Sequence, residues 1–488
     1  MKIGFFDSCL EWIPHLETDL ELMDLHLSQN DEVFWFNCHS DISFCQPNPY
    51  HKKGKCRSCI KRKNKGLSLL NGKVTELSWK DIQTASQIEF PIVHSINDLK
   101  SCTTLNFDIG VATASSLVSV IRDSNPDLVK YETLWKNIFL SSYNTYKNVS
   151  SAIVEHQLDR VYTFNGRFAP ERAVLRACQA TGTDCYIHER GNNKNHYMVY
   201  ENSLPHNRKA FRERMEAAWN NPAVTQEEKL KISHSFFEDR IKGKEQFWVS
   251  FVNDQTSGLL PEKWDENKTN IAIFTSSEDE LSSISDEWKN TVYDSQIAGI
   301  KKILEDAPPE FNFYLRIHPN LIGVNNIETK QLVELNYPNL VIIPPSSKVN
   351  TYSLIKQANK VVVFSSTVGV EATYLGTPCI LAGISYYRGM DAAYDANSHE
   401  ELIELLKKEL PPKNKENALK YGYVLKTFGT RYQNYEAINL YLGKYKKQYV
   451  VGSLLFNYYL RFFSYFGMLS PMKRKIKKFR PYLGLKSN

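Results

Sequence analysis

The chain has 488 residues, of which 42% are hydrophobic and 23% charged, a composition that excludes a largely disordered protein. Its length predicts two domains of roughly 200–250 residues each. Nine scattered cysteines are typical of a reduced cytosolic protein, and the first residues, "MKIGFFDSCLEW", lack the pattern of a secretion signal. We therefore expect a cytoplasmic protein.

The net charge of +6 is unevenly distributed along the chain. Residues 451–488 carry eight Lys or Arg and no acid, so residues 1–450 sum to −2. A second basic block at 51–65 has eight Lys or Arg and no Asp or Glu. A nucleic-acid-binding protein is one interpretation of these blocks. The negative sum over the first 450 residues and the absence of a recognisable nucleic-acid module argue against it.

Residues 1–255 predict a Rossmann-like domain. Buried strands are expected at "KIGFFD" and "EVFWFN", and a helix from Leu134 to His156. A strand–helix–strand unit follows in "RVYTFNGR", "APERAVLRACQATG" and "DCYIHERG", with Pro170 in the first helical turn and Gly182 at the helix end. Residues 207–245 have a charged, helical pattern.

Residues 256–269 are polar, contain Gly and Pro, and predict a linker. From 270 to 445 strands alternate with helices, one of them expected over 281–305, which predicts a second Rossmann-like domain with a parallel sheet. The predicted fold class is therefore α/β, with two Rossmann-like domains facing a cleft and a helical basic tail at 446–488.

Polar side chains follow three predicted strands of the second domain. Because ligands of doubly wound sheets bind beyond the carboxyl ends of the strands, these groups predict a ligand site. Hydroxyls and free amides at a helix N-terminus suit a phosphate, and Glu371 in the next helix suits ribose hydroxyls. A helix-capping role is the alternative for the hydroxyls. The predicted donor-site residues are Thr275, Ser276, Ser277, Arg316, His318, Ser365, Ser366, Thr367 and Glu371.

The stretches "FTSSEDE", "LRIHPN" and "VVVFSSTVGVEATYLGTPCI" resemble bacterial surface-polysaccharide glycosyltransferases of the GT-B type, and most of all the capsule-synthesis group that includes Kdo transferases. "NGRFAPERAVLRA" and "IHERG" also look like capsule proteins. The resemblance covers roughly residues 100–390. It implies that His318, Ser365, Ser366 and Glu371 bind a donor nucleotide. A looser likeness to CDP-glycerol polymerases is weakened by Val363-Phe364, where those proteins carry Asp-Tyr.

The resemblance implies a transferase that uses a CMP-, UDP- or GDP-sugar to extend a lipid-linked glycan of a capsule or O-antigen polysaccharide. The chain has no Asp-x-Asp, no G-x-G-x-x-G and no Walker motif. We therefore expect metal-independent transfer without a cofactor, in which amides, His318 and Arg316 stabilise the leaving phosphate. A nucleotide-sugar epimerase of the same fold and a polyol-phosphate transferase are the alternatives.

The first domain is expected to bind the acceptor and to supply a base. Asn165, Arg167 and Arg190 follow predicted strands and are the acceptor-binding candidates. An inverting transfer needs a group that takes the acceptor's proton, for which Glu189 is the first choice, His188 the second and Asp108 the third. A structural ion pair is the alternative for Glu189, and packing in the core is the alternative for His188.

A Cys- and Lys-rich insert at about 38–66 contains Cys38, Cys45, Cys56 and Cys59. One C-x-x-C with two nearby thiols allows a structural zinc site, although strong sites show two such pairs. The alternative is free thiols in a basic surface loop, whose charge would lower their pKa and make them reactive. The basic side chains of the insert are either solvated or in contact with an acceptor phosphate.

The tail at 446–488 is apolar and aromatic before it becomes basic. This order predicts an interfacial helix and a polybasic patch on the anionic inner face of the cell membrane. Packing of its first part on the N-terminal domain is the alternative. The expected partners are thus a nucleotide-sugar donor, a lipid-linked glycan and the membrane surface, without nucleic acid.

Overall fold

A computed structural model describes residues 1–246, 250–280 and 283–452. The strands in these ranges are β1 (Lys2–Phe6), β2 (Glu32–Asn37), β3 (Val74–Ser78), β4 (Arg160–Phe164), β5 (Asp184–Arg190), β6 (His196–Glu201), β7 (Asn270–Phe274), β8 (Asn312–Arg316), β9 (Leu340–Ile343), β10 (Lys360–Val363), β11 (Cys379–Leu381), β12 (Tyr394–Asp395), β13 (Thr430–Arg431), β14 (Tyr435–Asn439) and β15 (Leu442–Tyr445). The helices are α1 (His15–Ser28), α2 (Lys53–Leu67), α3 (Ile96–Ser101), α4 (Ile109–Ile121), α5 (Glu132–His156), α6 (Ala169–Thr181), α7 (Arg208–Trp219), α8 (Gln226–Ile241), α9 (Gln296–Asp306), α10 (Ile327–Val333), α11 (Thr351–Gln357), α12 (Val368–Leu375), α13 (His399–Lys407) and α14 (Glu416–Thr427).

The described chain divides into two compact units. Unit 1 contains residues 1–121, 125–206 and 429–452, and unit 2 contains residues 122–124 and the described part of 207–428. Each unit is built on one main sheet in which most or all strands are parallel, so the predicted α/β class is confirmed.

The sheet of unit 1 has the order β13-β6-β5-β4-β1-β2-β3. Strands β1 to β5 are parallel, whereas β6 and β13 are antiparallel to their neighbours. Ile3 and Phe5 pack into one core and Phe6 into another, because successive side chains of a strand point to opposite faces. Both faces of the central strand are therefore covered, as in doubly wound folds.

The sheet of unit 2 has the order β12-β11-β10-β7-β8-β9, and all its strands are parallel. Ile271 and Ile273 pack into one core, and Ala272 and Phe274 into the core on the opposite face. This two-sided burial explains the continuous apolar runs that predicted these strands.

The units differ from the predicted boundaries of 1–255 and 270–445 at two places. Helices α7 and α8 lie in unit 2, because Phe211, Phe236 and Phe237 join the core that covers one face of its sheet. Residues 429–452 lie in unit 1, where β13 pairs with β6 and the β14–β15 hairpin buries Tyr435 and Tyr445.

Three local predictions can be compared with the elements. Pro170 lies in the first turn of α6, and Gly182 ends the helix in the left-handed conformation at φ 70°, as predicted. The helix predicted over 281–305 is wrong in its first half, because α9 begins at Gln296 behind the N-cap Ser295. Ile284 and Trp288 instead pack on Ile384.

The Cys- and Lys-rich insert contains the helix α2 and is not simply a surface loop. Arg62 is buried and donates from Nη2 to both carboxylate oxygens of Glu17, at 2.6 and 2.8 Å. Lys63 is buried and donates to Glu76 at 2.7 Å. Two basic residues of the block are therefore structural cations and are not solvated.

No helix within the described residues is long and apolar enough to cross a membrane. The interfacial helix and the polybasic patch predicted for the tail fall on residues 453–488, which lie outside the described residues. The described first residues of the predicted tail, 446–452, belong to unit 1. There Val450 is buried, and its carbonyl accepts a hydrogen bond from Arg62 Nε at 3.0 Å.

Candidate functional site

The sheet of unit 2 reverses its direction of winding between β7 and β10. The chain runs from β7 outward through β8 and β9, then returns to the other side of β7 as β10. Ligands of open parallel sheets bind outside the carboxyl ends of the strands at such a switch point. The three predicted polar groups follow β7, β8 and β10, the adjacent strands at this point.

Direct hydrogen bonds join the ends of β7 and β8. Thr275 is buried, and its Oγ1 accepts from the backbone N–H of His318 at 2.9 Å. The backbone N–H of Thr275 donates to the carbonyl of Arg316 at 3.1 Å. Thr275 therefore fixes the backbone that carries His318, and its hydroxyl is a positioning group.

His318 is held in one tautomer. Its Nδ1 accepts from the backbone N–H of Asn320 at 3.1 Å, so the proton of the neutral ring lies on Nε2. Burial, together with the smaller effect of the charges of Arg122, Arg316 and Arg240, lowers the pKa of His318 to about 4. At neutral pH the ring is an uncharged donor through Nε2.

Arg316 is a buried cation with unused donors. Nη2 donates to the carbonyl of Ser347 at 3.3 Å, while Nε and Nη1 have no hydrogen-bond partner among the described residues. Burial lowers the pKa of Arg316 to about 10, so the side chain is charged at pH 7. Because a buried charge without a full set of partners is costly, these donors suit an anion.

The turn from β10 into α12 is fixed by side chains. Ser366 Oγ accepts from the backbone N–H of Val368 at 3.2 Å, and Tyr387 Oη donates to the Ser366 carbonyl at 2.6 Å. Within the described part of the chain, the backbone N–H groups of Ser365, Ser366 and Thr367 donate no hydrogen bond to the protein. The turn thus offers free amides beside the N-terminus of α12.

Glu371 forms a buried ion pair. Arg240 on α8 donates from Nε to Glu371 Oε1 at 2.8 Å, and its Nη2 lies 2.7 Å from the same oxygen. Thr367 Oγ1 also donates to this oxygen, at 3.1 Å, and accepts from Arg240 Nη2 at 3.1 Å. Glu371 and Thr367 therefore belong to a network that ties α8 to α12.

Ser276 and Ser277 have local partners. The backbone N–H of Ser276 donates to Gln296 Oε1 at 2.8 Å, and its Oγ lies 3.3 Å from the same oxygen. Ser277 is buried, with Asn320 Nδ2 at 3.5 Å from its Oγ. Both hydroxyls support the loop after β7.

The sheet of unit 1 has a second switch point, between β1 and β4. Asn165 follows β4 in the left-handed conformation and donates from Nδ2 to Glu189 Oε2 at 2.7 Å. The backbone N–H of Arg190 donates to Glu189 Oε1 at 2.9 Å. The carboxylate is thus oriented by an amide and a backbone group. Arg190 Nη2 donates to the Ile13 carbonyl, and the Arg167 guanidinium lies over the Phe168 ring.

The structure argues against two of the three candidate bases. His188 is fully buried inside β5, and burial lowers its pKa. Asp108 accepts hydrogen bonds from Arg172 and Arg176. Burial opposes ionisation of Asp108, but the hydrogen bonds from the two arginines outweigh it and lower the pKa to about 2. A carboxylate with so low a pKa is a weak base, which leaves Glu189.

A buried cluster at the switch point of unit 1 was not anticipated. Asp7 directly follows β1, Asp19 lies on the buried face of α1, and Glu171 lies in the first turn of α6. Burial raises the pKa of all three carboxyls. The strand-end rule applied to "KIGFFD" would have found Asp7, whereas Asp19 is hidden in an ordinary helical pattern.

The four cysteines of the insert line one cavity. It measures about 580 Å³ with its open mouth included, and Asp7, Lys55 and Lys63 line it as well. No three of the four sulfurs, all in described residues, lie within 4.8 Å of one another. Burial raises the pKa of Cys38 and Cys45, and that of Cys59 to about 12. The expected lowering of the thiol pKa values by the basic block is therefore wrong for these three.

Comparison with protein families matches residues 285–435 to the capsule polysaccharide biosynthesis protein family. The resemblance to capsule-synthesis proteins is confirmed over this segment. It contains β8 to β12 and therefore two of the three polar strand ends, those that carry His318 and Ser365–Thr367. No curated protein matches the chain.

Solved structures give distant likenesses. The Thermosulfurimonas dismutans KpsC beta Kdo 2,4 transferase is 13% identical, with 55% of this chain and 79% of that one covered and a TM-score of 0.37. A second KpsC structure from the same organism, a beta Kdo 2,7 transferase, is 14% identical, with 57% of this chain and 80% of that one covered and a TM-score of 0.34. The UDP-GlcNAc 2-epimerase of Neisseria meningitidis, solved with UDP-GlcNAc, is 13% identical, with 86% and 98% covered and a TM-score of 0.26. Likenesses at this level decide neither activity nor substrate.

Proposed function

We propose that this protein is a glycosyltransferase of capsule polysaccharide synthesis that moves a sugar from a nucleotide-sugar donor to a lipid-linked glycan. The observation that carries the proposal is the gathering of Arg316, His318 and the free amides of 365–367 at the switch point of a wholly parallel sheet. The match of the same segment to the capsule polysaccharide family supports it.

The donor phosphate is the proposed ligand of these groups. Departure of a nucleotide leaves negative charge on phosphate oxygens, and donors that are already in place stabilise that charge without reorganising. Arg316 supplies a charged donor, His318 supplies Nε2–H, and the turn before α12 supplies backbone amides. These donors suffice for transfer without a metal at the donor site, with CMP-Kdo, a UDP-sugar or a GDP-sugar as the donor.

The proposed role of Glu371 in donor binding is revised by its ion pair. Its carboxylate holds Arg240 and Thr367, and through them the turn that presents the amides. Glu371 therefore acts as a positioning residue.

Unit 1 is proposed to bind the acceptor through Asn165, Arg167 and Arg190, with Glu189 as the base. Hydrogen bonds from Asn165 Nδ2 and the Arg190 backbone orient the carboxylate of Glu189. A base held in this way takes the proton of an acceptor hydroxyl within hydrogen-bond reach.

The tail is proposed to hold the protein on the inner face of the cell membrane, where a lipid-linked acceptor lies. The eight basic residues of 451–488 are the supporting observation. Sedimentation with vesicles of anionic and of neutral phospholipid tests this. The full chain should bind the anionic vesicles only, and a chain ending at residue 452 should bind neither. Equal binding by both chains would remove the tail from the proposal.

A transfer assay tests the activity. The purified chain is mixed with each candidate donor and a lipid-linked capsule oligosaccharide, and products are followed by mass spectrometry. We expect an acceptor one sugar heavier, loss of turnover in Glu189→Gln with donor binding intact, and normal turnover in the exposed control Glu89→Gln. Conversion of the donor sugar without any acceptor would favour an epimerase and contradict the proposal.

A further inference from the structure

Unit 1 contains a buried group of potential metal ligands that the proposed transfer does not use. Asp7, Asp19 and His188 have one ligand atom each within 4.8 Å of the others, and Asp7, Cys9 and Glu171 form a second trio that shares Asp7. All five residues are buried, and Asp19, His188, Cys9 and Glu171 have no exposed surface.

The polar atoms of the first trio lack the partners that buried groups normally have. When both carboxyls are ionised, Asp7 Oδ2, both oxygens of Asp19 and both ring nitrogens of His188 make no hydrogen bond within the described residues, and a proton on one carboxyl would join Asp7 to Asp19. His188 Nε2 lies 3.0 Å from Asp19 Oδ1 without the alignment of a hydrogen bond. Buried polar atoms without partners are rare in native proteins, and each points to an unseen water, ion or proton.

The second trio is better satisfied. Glu171 Oε1 accepts from the backbone N–H and the Oγ of Ser8, and the Cys9 thiol lies 3.9 Å from it. The backbone N–H of Cys9 donates to Asp7 Oδ1. These contacts orient Asp7 and leave its Oδ2 for the first trio.

Charge gives an independent reason to expect a cation. Among the described residues, none of the carboxylates of Asp7, Asp19 and Glu171 forms an ion pair with Lys or Arg. Burying several carboxylates together without a counter-charge is very costly, and proteins avoid that cost with a metal ion or a bound proton. The group also lies at the β1–β4 switch point, where open parallel sheets bind ligands.

We infer that Asp7, Asp19 and His188 bind one divalent transition-metal ion, for which zinc is the best fit. Two carboxylate oxygens and an imidazole nitrogen form a ligand set that zinc accepts, with water as a fourth ligand. The ligand atoms of the trio lie within 4.8 Å of one another, close enough to bind a single ion. Asp7 also lines the cavity of the four cysteines, which gives the ion a route from solvent.

Zinc binding to the intact chain tests the inference. Protein stripped with EDTA and dialysed is titrated with ZnCl2 in a calorimeter, and metal content is measured by mass spectrometry. We expect one zinc per chain, and binding at least tenfold weaker in Asp19→Asn. Asp24→Asn, on the same helix but outside the trio, is the matched control and should bind as the wild type does.

A second variant tests whether the cysteines of the insert, and not Asp7, Asp19 and His188, bind the zinc. A chain with Cys38, Cys45, Cys56 and Cys59 all changed to Ser should keep its single zinc. With Co2+ in place of zinc, the wild type should lack the intense absorption of thiolate ligands. Absence of zinc binding by the wild type, loss of binding in the four-Ser variant alone, or a thiolate band would each overturn the assignment.

Thermal unfolding with and without zinc distinguishes a variant that has lost the metal site from one that has failed to fold. Asp19→Asn removes one buried negative charge, so we expect it to unfold at the same or a higher temperature without metal and to gain nothing from zinc. The wild type should be stabilised by zinc. Equal stabilisation of both proteins would contradict the assignment.

Discussion

Arg240 and Glu371 pair across the packed surfaces of α8 and α12. Glu371 is almost fully buried, its Oε1 accepts from Arg240, and Thr367 bonds to both. A carboxylate in such a place is costly without its cation, so the two residues are required together. Glu371, which the sequence predicts as a ligand contact, is thus also part of the packing between α8 and α12.

Removing one side of this pair should destabilise unit 2. For Glu371→Gln we expect a loss of about 3 kcal/mol in the free energy of unfolding, because Arg240 is left without its carboxylate. Glu404→Gln breaks an exposed pair with Lys408 and should cost less than about 0.5 kcal/mol. Denaturant unfolding measures both, and equal losses in the two variants would contradict the structural role of the pair.

Protonation of Asp108 should account for part of the stability that the protein loses at acid pH. Its folded pKa of about 2 lies below the usual value of 3.8, so its stabilising contribution is complete above about pH 4 and is lost as pH falls toward 2. A shift of this size corresponds to about 2 kcal/mol. Asp108→Asn should lose this amount at pH 7 and show a flatter decline in stability between pH 4 and 2. A decline as steep as in the wild type would refute the ion pair.

The element that matters most for the proposed donor site is the turn into α12. A Cβ at Gly369 would lie 2.1 Å from Tyr387 Oη, and this hydroxyl donates to the Ser366 carbonyl. Gly369 is therefore required by the close approach of Tyr387, and Tyr387 holds the turn that presents the free amides.

Gly369→Ala should damage both stability and ligand binding. Forcing a methyl group into this contact costs about 1–3 kcal/mol. It also displaces Tyr387, so donor-nucleotide affinity should fall. Gly54→Ala, in a helix position with no atom within 4 Å of the new Cβ, is the control and should be neutral or slightly stabilising. Calorimetric titration and thermal unfolding measure both effects, and unchanged nucleotide affinity in Gly369→Ala would separate the turn from the site.

Features that depend on neighbouring residues could be predicted from the sequence, whereas contacts between distant residues could not. Strands β7, β8 and β10 are apolar runs ended by polar residues, so the sequence alone predicts them and their ligand-facing ends. The Arg240–Glu371 pair joins residues 131 positions apart, and no local pattern indicates it. For the same reason Asp19 and His188 are invisible as a pair until α1 is packed against β5.

At the scale of the whole molecule, the two units are not consecutive segments of the chain, because unit 1 contains residues from both ends of the described sequence. Residues 429–452 return to unit 1, where the Tyr432 hydroxyl lies 2.6 Å from Thr18 Oγ1 and Tyr445 Oη donates to the Leu20 carbonyl at 3.0 Å. A single linker after residue 255 was the simplest prediction from composition. A return of the chain depends on long-range packing, which composition does not encode.

Truncation tests the return of the chain. A chain ending at residue 428 loses four buried tyrosines of unit 1, Tyr432, Tyr435, Tyr445 and Tyr449. Because folded proteins are stable by only about 5–15 kcal/mol, we expect unit 1 to unfold at a much lower temperature or not to fold. A chain ending at residue 452 keeps these contacts and should unfold as the full chain does. Calorimetric scans that are identical for the two truncations would contradict the division.

The central claim is that the polar ends of β7, β8 and β10 bind a donor nucleotide, and calorimetric titration with CMP, CDP, UDP, GDP and dTDP tests it most directly. We expect one of these nucleotides to bind at a single site, His318→Ala and Arg316→Met each to weaken its binding tenfold or more, and the exposed control His234→Ala to leave its binding unchanged. Absence of binding by all five nucleotides, or equal affinity in the wild type and His318→Ala, would contradict it.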